Sequence, residues 1–125
     1  AMRIGAKYPE TFTSFSGLSA ITAFDQMQLF LENHDDHDLK QNVLKQESVL
    51  EIIRANQQRL PFFRFDCGTD DLLIRYNRAL HDTLHQLNIA HEYKEYPGGH
   101  NWTYWQEHIA DTLRFFNDVL NRNYP

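Results

Sequence analysis

Between Leu60 and Leu120 the chain alternates between strand-like and helix-like periodicity, and this limits the fold more than composition does. Leu60-Pro61-Phe62-Phe63-Arg64-Phe65-Asp66 is short and nearly continuously apolar, the pattern of a strand inside a parallel sheet. Leu73, Tyr76, Leu80, Leu84 and Leu87 then recur at helical spacing up to Asn88. His91 to Tyr96 reads as the next strand. From Trp102 to about Asn121, Trp105, Ile109, Leu113, Phe116 and Leu120 form one face of a closing helix. Parallel strands need a crossover of about a dozen residues or more, usually a helix. The order strand, helix, strand, helix therefore predicts an α/β fold with a parallel sheet flanked by helices.

Upstream the signals are weaker. Ala1 to Lys7 reads as a helix tail stopped at Tyr8-Pro9, because proline disfavours helical geometry in the residue before it. Thr11 to Ser16, carrying Phe12 and Phe15, predicts a short strand ended by Gly17. Ile21 to Asn33 (Phe24, Met27, Phe30, Leu31) and Val43 to Leu60 predict helices on either side of the polar break His34-Asp35-Asp36-His37-Asp38. No repeat or linker divides the chain, so residues 1–125 read as one domain, with 18–60 as a helical insertion or cap region.

At 42% hydrophobic and 14% aromatic residues, the chain can bury a core. A net charge of −5 argues against nucleic acid or an anionic membrane surface as partner. No apolar run nears the roughly 20 residues of a membrane span and no signal peptide is recognisable; a cytoplasmic location is expected, with a secretory signal lost upstream as the alternative. Cys67 is the only cysteine, which excludes an internal disulfide and a Cys-x-x-Cys metal site.

In an open parallel sheet, functional side chains gather beyond the carboxyl ends of the strands. Two glycine-bearing loops fall there: Gly68-Thr69-Asp70-Asp71 and Pro97-Gly98-Gly99-His100. Adjacent strands lie about 4.8 Å apart, so an aspartate on one loop can reach the histidine on the other. Such an acid would fix the imidazole tautomer and stabilise the imidazolium formed on proton transfer. Position alone allows either Asp70 or Asp71, and both also suit turn and cap chemistry for the helix starting near Leu72. His100 by itself also fits a plain loop residue opening a helix. Trp102, Tyr104 and Trp105 could wall an acyl or aromatic pocket, with Trp105 expected buried and Trp102 near the mouth of the site. His34 with His37, and His81 with His85 at i,i+4 spacing, lack a third ligand, so no metal is expected. Cys67, with aspartates nearby, reads as a packing residue rather than a reactive thiolate.

The runs Asp66-Cys67-Gly68-Thr69-Asp70-Asp71-Leu72-Leu73 and Glu95-Tyr96-Pro97-Gly98-Gly99-His100-Asn101-Trp102-Thr103-Tyr104-Trp105, with Asn77, Leu80 and Leu84 between them, resemble the C-terminal half of the putative-esterase family of α/β-hydrolases. That family includes esterase D/S-formylglutathione hydrolases, tributyrin-type carboxylesterases, feruloyl and acetyl-xylan esterases, and mycolyltransferases. The resemblance is strongest over Pro61 to Phe116. Ala1 to Phe12 and Phe15-Ser16-Gly17 resemble the helix and strand that follow the family's nucleophile elbow, while Ser19 to Arg59 match only in general character.

The resemblance implies the C-terminal portion of an α/β-hydrolase fold, without the N-terminal strands and the elbow. It implies Asp71 as triad acid (Asp70 the alternative), His100 as base, and Gly99 and Trp102 at the substrate pocket. It also implies no cofactor and a small carboxylic ester or thioester as substrate. Acid before histidine is the triad order of this fold, but its Gly-x-Ser-x-Gly elbow does not occur in the 125 residues. Ser14-Phe15-Ser16-Gly17 lacks the first glycine. The expectation is a serine on a missing N-terminal half, with the isolated chain inactive. The alternatives are a non-catalytic module that self-associates through an unpaired sheet edge and uncovered helix face, and an acyltransferase of the same fold.

Overall fold

The computed structural model describes residues 1–23, 26 and 48–121. In chain order the elements are α1 (Met2–Lys7), β1 (Ser14–Leu18), α2 (Val49–Ala55), β2 (Phe62–Gly68), α3 (Ile74–Gln86), β3 (Glu92–Tyr96) and α4 (Trp102–Leu120). The strands form one parallel sheet in the order β1-β2-β3, the α/β arrangement expected. The helix expected at 21–33 lies almost wholly outside the described residues, and Ile21 to Ala23 are not helical. Of the second helical region, the described part begins at the cap of α2, where the Ser48 hydroxyl accepts from the Glu51 N–H at 3.2 Å.

β1 starts three residues later and ends two residues later than its sequence pattern suggests, leaving Phe12 exposed. Gly17 does not end the strand but belongs to it. A Cβ there would lie 2.6 Å from Met2 Sδ, so the glycine is what lets α1 settle directly on the strand. Beside it, Phe15 is in register with Phe63 and stacks on it at 4.9 Å.

Successive strand residues point to opposite faces, and the two faces of this sheet differ in kind. One carries Phe15, Phe63 and Phe65 into a core with Met2, Ile53, Leu80 and Leu84 from the helices. The other carries Ser16, Arg64 and Asp66, all buried against α4. Arg64 is 0% exposed, as is Asp66. The Arg64 guanidinium donates through Nη1 to Asp66 Oδ2 at 2.8 Å and to Thr112 Oγ1 at 2.7 Å, and through Nε to Glu92. The Ser16 and Thr112 hydroxyls are 2.7 Å apart. The Tyr104 hydroxyl donates to Asp66 Oδ1 at 2.7 Å, and that of Tyr96 to Asp111 Oδ2 at 2.7 Å. Burial pushes the Asp66 carboxyl above its ordinary pKa, and the Tyr104 hydrogen bond and Arg64 charge offset part of that push.

This polar seam sets the orientation of α4. The apolar stripe would ordinarily be the face laid on the sheet. Instead Tyr104, Thr112, Phe115 and Val119 are buried, and Ile109, Leu113 and Leu120 are 43%, 59% and 70% exposed. A buried guanidinium and carboxylate must be partnered or cost several kcal/mol. The hydroxyls that can partner them lie on a face of α4 rotated from the stripe, which leaves Trp105 and Phe116 at its border partly buried.

Leu113→Ala should therefore change stability by less than about 0.5 kcal/mol, as surface substitutions do. Phe115→Ala should cost about 3–5 kcal/mol by emptying a packed position. Arg64→Met should cost a similar amount by leaving Asp66 uncompensated. Urea denaturation of the three variants checks this, and a larger effect at Leu113 than at Phe115 would mean that α4 sits the other way round.

Candidate active site

β2 and β3 end side by side, Gly68 opposite Tyr96. The loops leaving them are joined by backbone hydrogen bonds, from Thr69 N–H to the Tyr96 carbonyl and from Asp70 N–H to the Gly98 carbonyl, each 2.9 Å. The approach is close: a Cβ on Gly68 would lie 2.2 Å from the Gly98 carbonyl oxygen. Gly98 itself has φ 131°, which side chains rarely adopt.

On this frame Asp71 is buried and does two things. Its Oδ1 accepts from the Leu73 N–H at 2.8 Å, and its Oδ2 lies 2.9 Å from His100 Nδ1. Turn residue and histidine partner, alternatives in the sequence, are thus the same carboxylate, while the helix that follows has Leu73 as its cap and no side-chain cap bond. An ionised carboxylate only accepts, so Nδ1 carries the proton and Nε2 is left as the basic nitrogen. Asp70 is exposed and contributes its backbone N–H to the loop junction. Gly99 lies between Gly98 and the histidine, its carbonyl accepting from the Asn101 N–H at 3.1 Å. Asn101 Oδ1 in turn caps α4 by accepting from the Tyr104 N–H at 3.0 Å.

The His100 ring is partly exposed and meets Trp105 edge-on at 5.0 Å. Trp105 is half-buried rather than buried, and Trp102 stands against it, 74% exposed. A cavity of about 640 Å³ opens beside the histidine, its wall including Leu18, Ile21, Trp102, Trp105 and Ile109. Ser16, weighed in the sequence as a nucleophile, points to α4 and is bonded to Thr112. Ser19, which sequence reasoning passed over, also lines the cavity. It follows β1 with φ 54°, and its buried hydroxyl has no hydrogen-bond partner among the described residues. Chemically, an imidazole held by a buried carboxylate beside an apolar cavity can take a proton from a hydroxyl or water and return it to a leaving group.

The sequence reading also missed the buried pair Arg64 and Asp66, and it placed Tyr104 in a pocket wall, whereas Tyr104 is buried with its hydroxyl on Asp66 and does not line the cavity. A signal was present: Phe63-Arg64-Phe65-Asp66-Cys67 alternates strictly, which puts opposite charges two residues apart on one strand face. His81 Nδ1 is 2.7 Å from His91 Nε2, so His81 pairs with His91 rather than chelating with His85, whose ring lies 6.4 Å away. Among the described residues no three His, Cys, Asp or Glu converge as a metal site would require, and His34 and His37 lie outside them. No described helix is long and apolar enough to cross a membrane.

The family model for the putative esterases matches residues 1–116. An acetyl esterase of Caldicellulosiruptor saccharolyticus is 22% identical over 134 residues, covering 95% of this chain and 50% of that protein. Among solved structures, the substrate-bound fluorophosphonate-binding serine hydrolase F (FphF) of Staphylococcus aureus superposes with a TM-score of 0.72 at 21% identity, over 91% of this chain and 49% of its own. The apoenzyme of S-formylglutathione hydrolase (FrmB) from the same species gives 0.69 at 20%, over 91% and 50%. A ferulic acid esterase gives 0.73 at 18%, over 95% and 46%. These likenesses show the fold, which is that of part of an α/β-hydrolase. The chain spans about half the length of the relatives it matches.

Cys67 lies just below the loop frame, fully buried, and burial, followed by the charges of Asp71 and Asp66, pushes its thiol up to about 12. At pH 8 its thiolate fraction is then about one in 10⁴, against about one in four for a free thiol. A disulfide reagent should leave Cys67 unmodified in the native chain at pH 8 and titrate it at once in denaturant. Rapid native modification would contradict both the burial and the direction of the shift.

Proposed function

As the chain belongs to the putative-esterase family, we propose that it supplies the acid and base of a serine ester hydrolase. The observation that carries this reading is the 2.9 Å contact of His100 Nδ1 with the buried Asp71 carboxylate, on adjoining loops at the carboxyl ends of neighbouring parallel strands. Asp71 holds the imidazole so that Nε2 faces the reaction. Nε2 takes the proton of a serine hydroxyl as its oxygen attacks the ester carbonyl carbon, and Asp71 stabilises the imidazolium. That proton passes to the departing alkoxide or thiolate. His100 then takes a proton from water as its oxygen attacks the acyl-serine, and returns that proton to the serine oxygen as the carboxylic acid is released. With an alcohol in place of water, the same steps give acyl transfer.

The 125 residues hold no Gly-x-Ser-x-Gly, so the nucleophile and oxyanion hole are assigned to a polypeptide segment outside them. The wall of Trp102, Trp105, Leu18 and Ile109 suits a short acyl or aryl group, with Arg3 the charged side chain of the lining; Gly99, next to the histidine in the chain, does not line the cavity.

In the polypeptide that contains the serine, His100→Ala should lower kcat by at least about 10²-fold. Asp71→Asn should also lower it by at least about 10²-fold, while Asp70→Asn stays within about twofold. Near-native turnover in His100→Ala would end the assignment.

The exposed Trp102, Ile109, Leu113 and Leu120 favour a second reading for the 125-residue chain by itself. Apolar surface of this kind, next to a β1 edge that no described strand pairs with, is buried by a second copy of the chain. Light scattering should give a mass above 14.9 kDa, and Leu113→Lys with Leu120→Lys should return it to the monomer. The isolated chain should not turn over p-nitrophenyl acetate. Turnover abolished by an organophosphate would bring the nucleophile inside the chain, with Ser19 the first hydroxyl to substitute.

A further inference from the structure

The turn that carries His100 is held by its backbone at Gly98 and Gly99. The Gly98 carbonyl is held by Asp70 N–H and the Gly99 carbonyl by Asn101 N–H, and Asn101 is tied by its side chain to Tyr104 N–H. The C-terminal side of the turn runs directly into the first turn of α4, and that turn is anchored through Tyr104. The Tyr104 ring, fully buried, lies under Gly98: a Cβ there would come within 3.0 Å of the ring's Cδ2. Its hydroxyl reaches past the turn to Asp66 Oδ1 at 2.7 Å, and Asp66 is fixed from its other oxygen by Arg64.

These contacts close a ring. It runs along β2 from Asp66 to Gly68, across the Gly68–Gly98 contact, down through the Tyr104 ring and back by the hydroxyl to Asp66. Asp71 leaves this ring just beyond Gly68, and His100 just beyond Gly98. The ring thus sets the spacing of the two side chains whose contact is 2.9 Å.

We propose that Asp66 and Tyr104 are positioning residues for the Asp71–His100 pair, their buried hydrogen bond holding the Gly98–His100 turn in register with the loop after β2. Docking a helix does not require such a pair, because apolar residues of similar volume stabilise as well or better than buried charges. What apolar packing lacks is direction, and a phenol donating to a carboxylate is short, strong and directional. Arg64 offsets part of the burial that raises the Asp66 carboxyl, and its Nη1 aims that carboxyl through Oδ2. Thr112 belongs to the same polar seam two turns further along α4, outside the ring.

The importance of this device to catalysis rests on His100 being the base, but its test reads the histidine itself and needs no turnover. In ¹⁵N-labelled protein the His100 Nδ1 proton, assigned by its loss in His100→Gln, reports the hydrogen bond to Asp71. The proton bridging His81 and His91 serves as a reference. Tyr104→Phe should speed exchange of the His100 proton with water by about tenfold or more, the restraint of one hydrogen bond, without affecting the reference. Thr112→Val, which breaks the same seam outside the ring, should leave the His100 proton unchanged even if it lowers the denaturation midpoint as far.

An unchanged His100 proton in Tyr104→Phe overturns the proposal, as does an equal change in Thr112→Val. Absence of the His100 signal from the unsubstituted chain removes the hydrogen bond on which the proposal stands. Should Tyr104→Phe unfold, the comparison is made in about 1 M sucrose, which favours the compact state. A variant folded under neither condition makes Tyr104 a residue of stability alone and likewise overturns the proposal.

Discussion

A guanidinium and a carboxylate two residues apart on the central strand, both wholly withdrawn from water, govern how the last helix lies on the sheet. Arg64 and Asp66 leave that face of β2 without an apolar option. Whatever covers it must bring donors and acceptors at fixed positions, because an unpaired buried charge is among the costliest defects a domain can contain. Helix α4 brings the hydroxyls of Tyr104 and Thr112, and β1 adds Ser16. The rotation of α4 follows from those bonds, and the first turn of α4 carries the histidine loop with it.

The catalytic-looking pair depends on a second constraint, the near contact of two loop backbones. Gly68 could carry no side chain without displacing the Gly98 carbonyl, and Gly98 holds a φ of 131° that side chains rarely adopt. The aspartate of one loop and the histidine of the other are then brought together by main-chain geometry, independent of long side chains. Asp71 is doubly committed, one oxygen closing the turn into α3 and the other on the imidazole. Its carboxylate is restrained before any substrate arrives, which is the preorganisation that proton transfer rewards.

How much of this was legible in the sequence depended on whether a signal was local. The change of period from Phe63-Phe65 to Leu73-Leu84 was sufficient for the strand–helix order, and the two glycine loops fell at the strand ends because strand and loop are neighbours in the chain. The choice between Asp70 and Asp71 was not local: it turns on which carboxylate faces a loop 29 residues away. Gly17 read as a terminator because nothing nearby reveals that Met2 fills the space beside it. The stripe on α4 was read correctly as a helix face, but period alone does not say whether that face meets this sheet or something else. The answer lay in Arg64 and Asp66, two charges that an apolar reading of the strand had absorbed.

The unlike faces of the sheet should also give the molecule two thermal responses. The aromatic and aliphatic side, built on Phe15, Phe63 and Phe65, is held by a force that fades on cooling. The ionic side, built on Arg64 and Asp66, carries a desolvation penalty that falls on warming. Cold thus loosens the sheet from α1, α2 and α3 before α4, and heat spares the seam beneath the histidine longest.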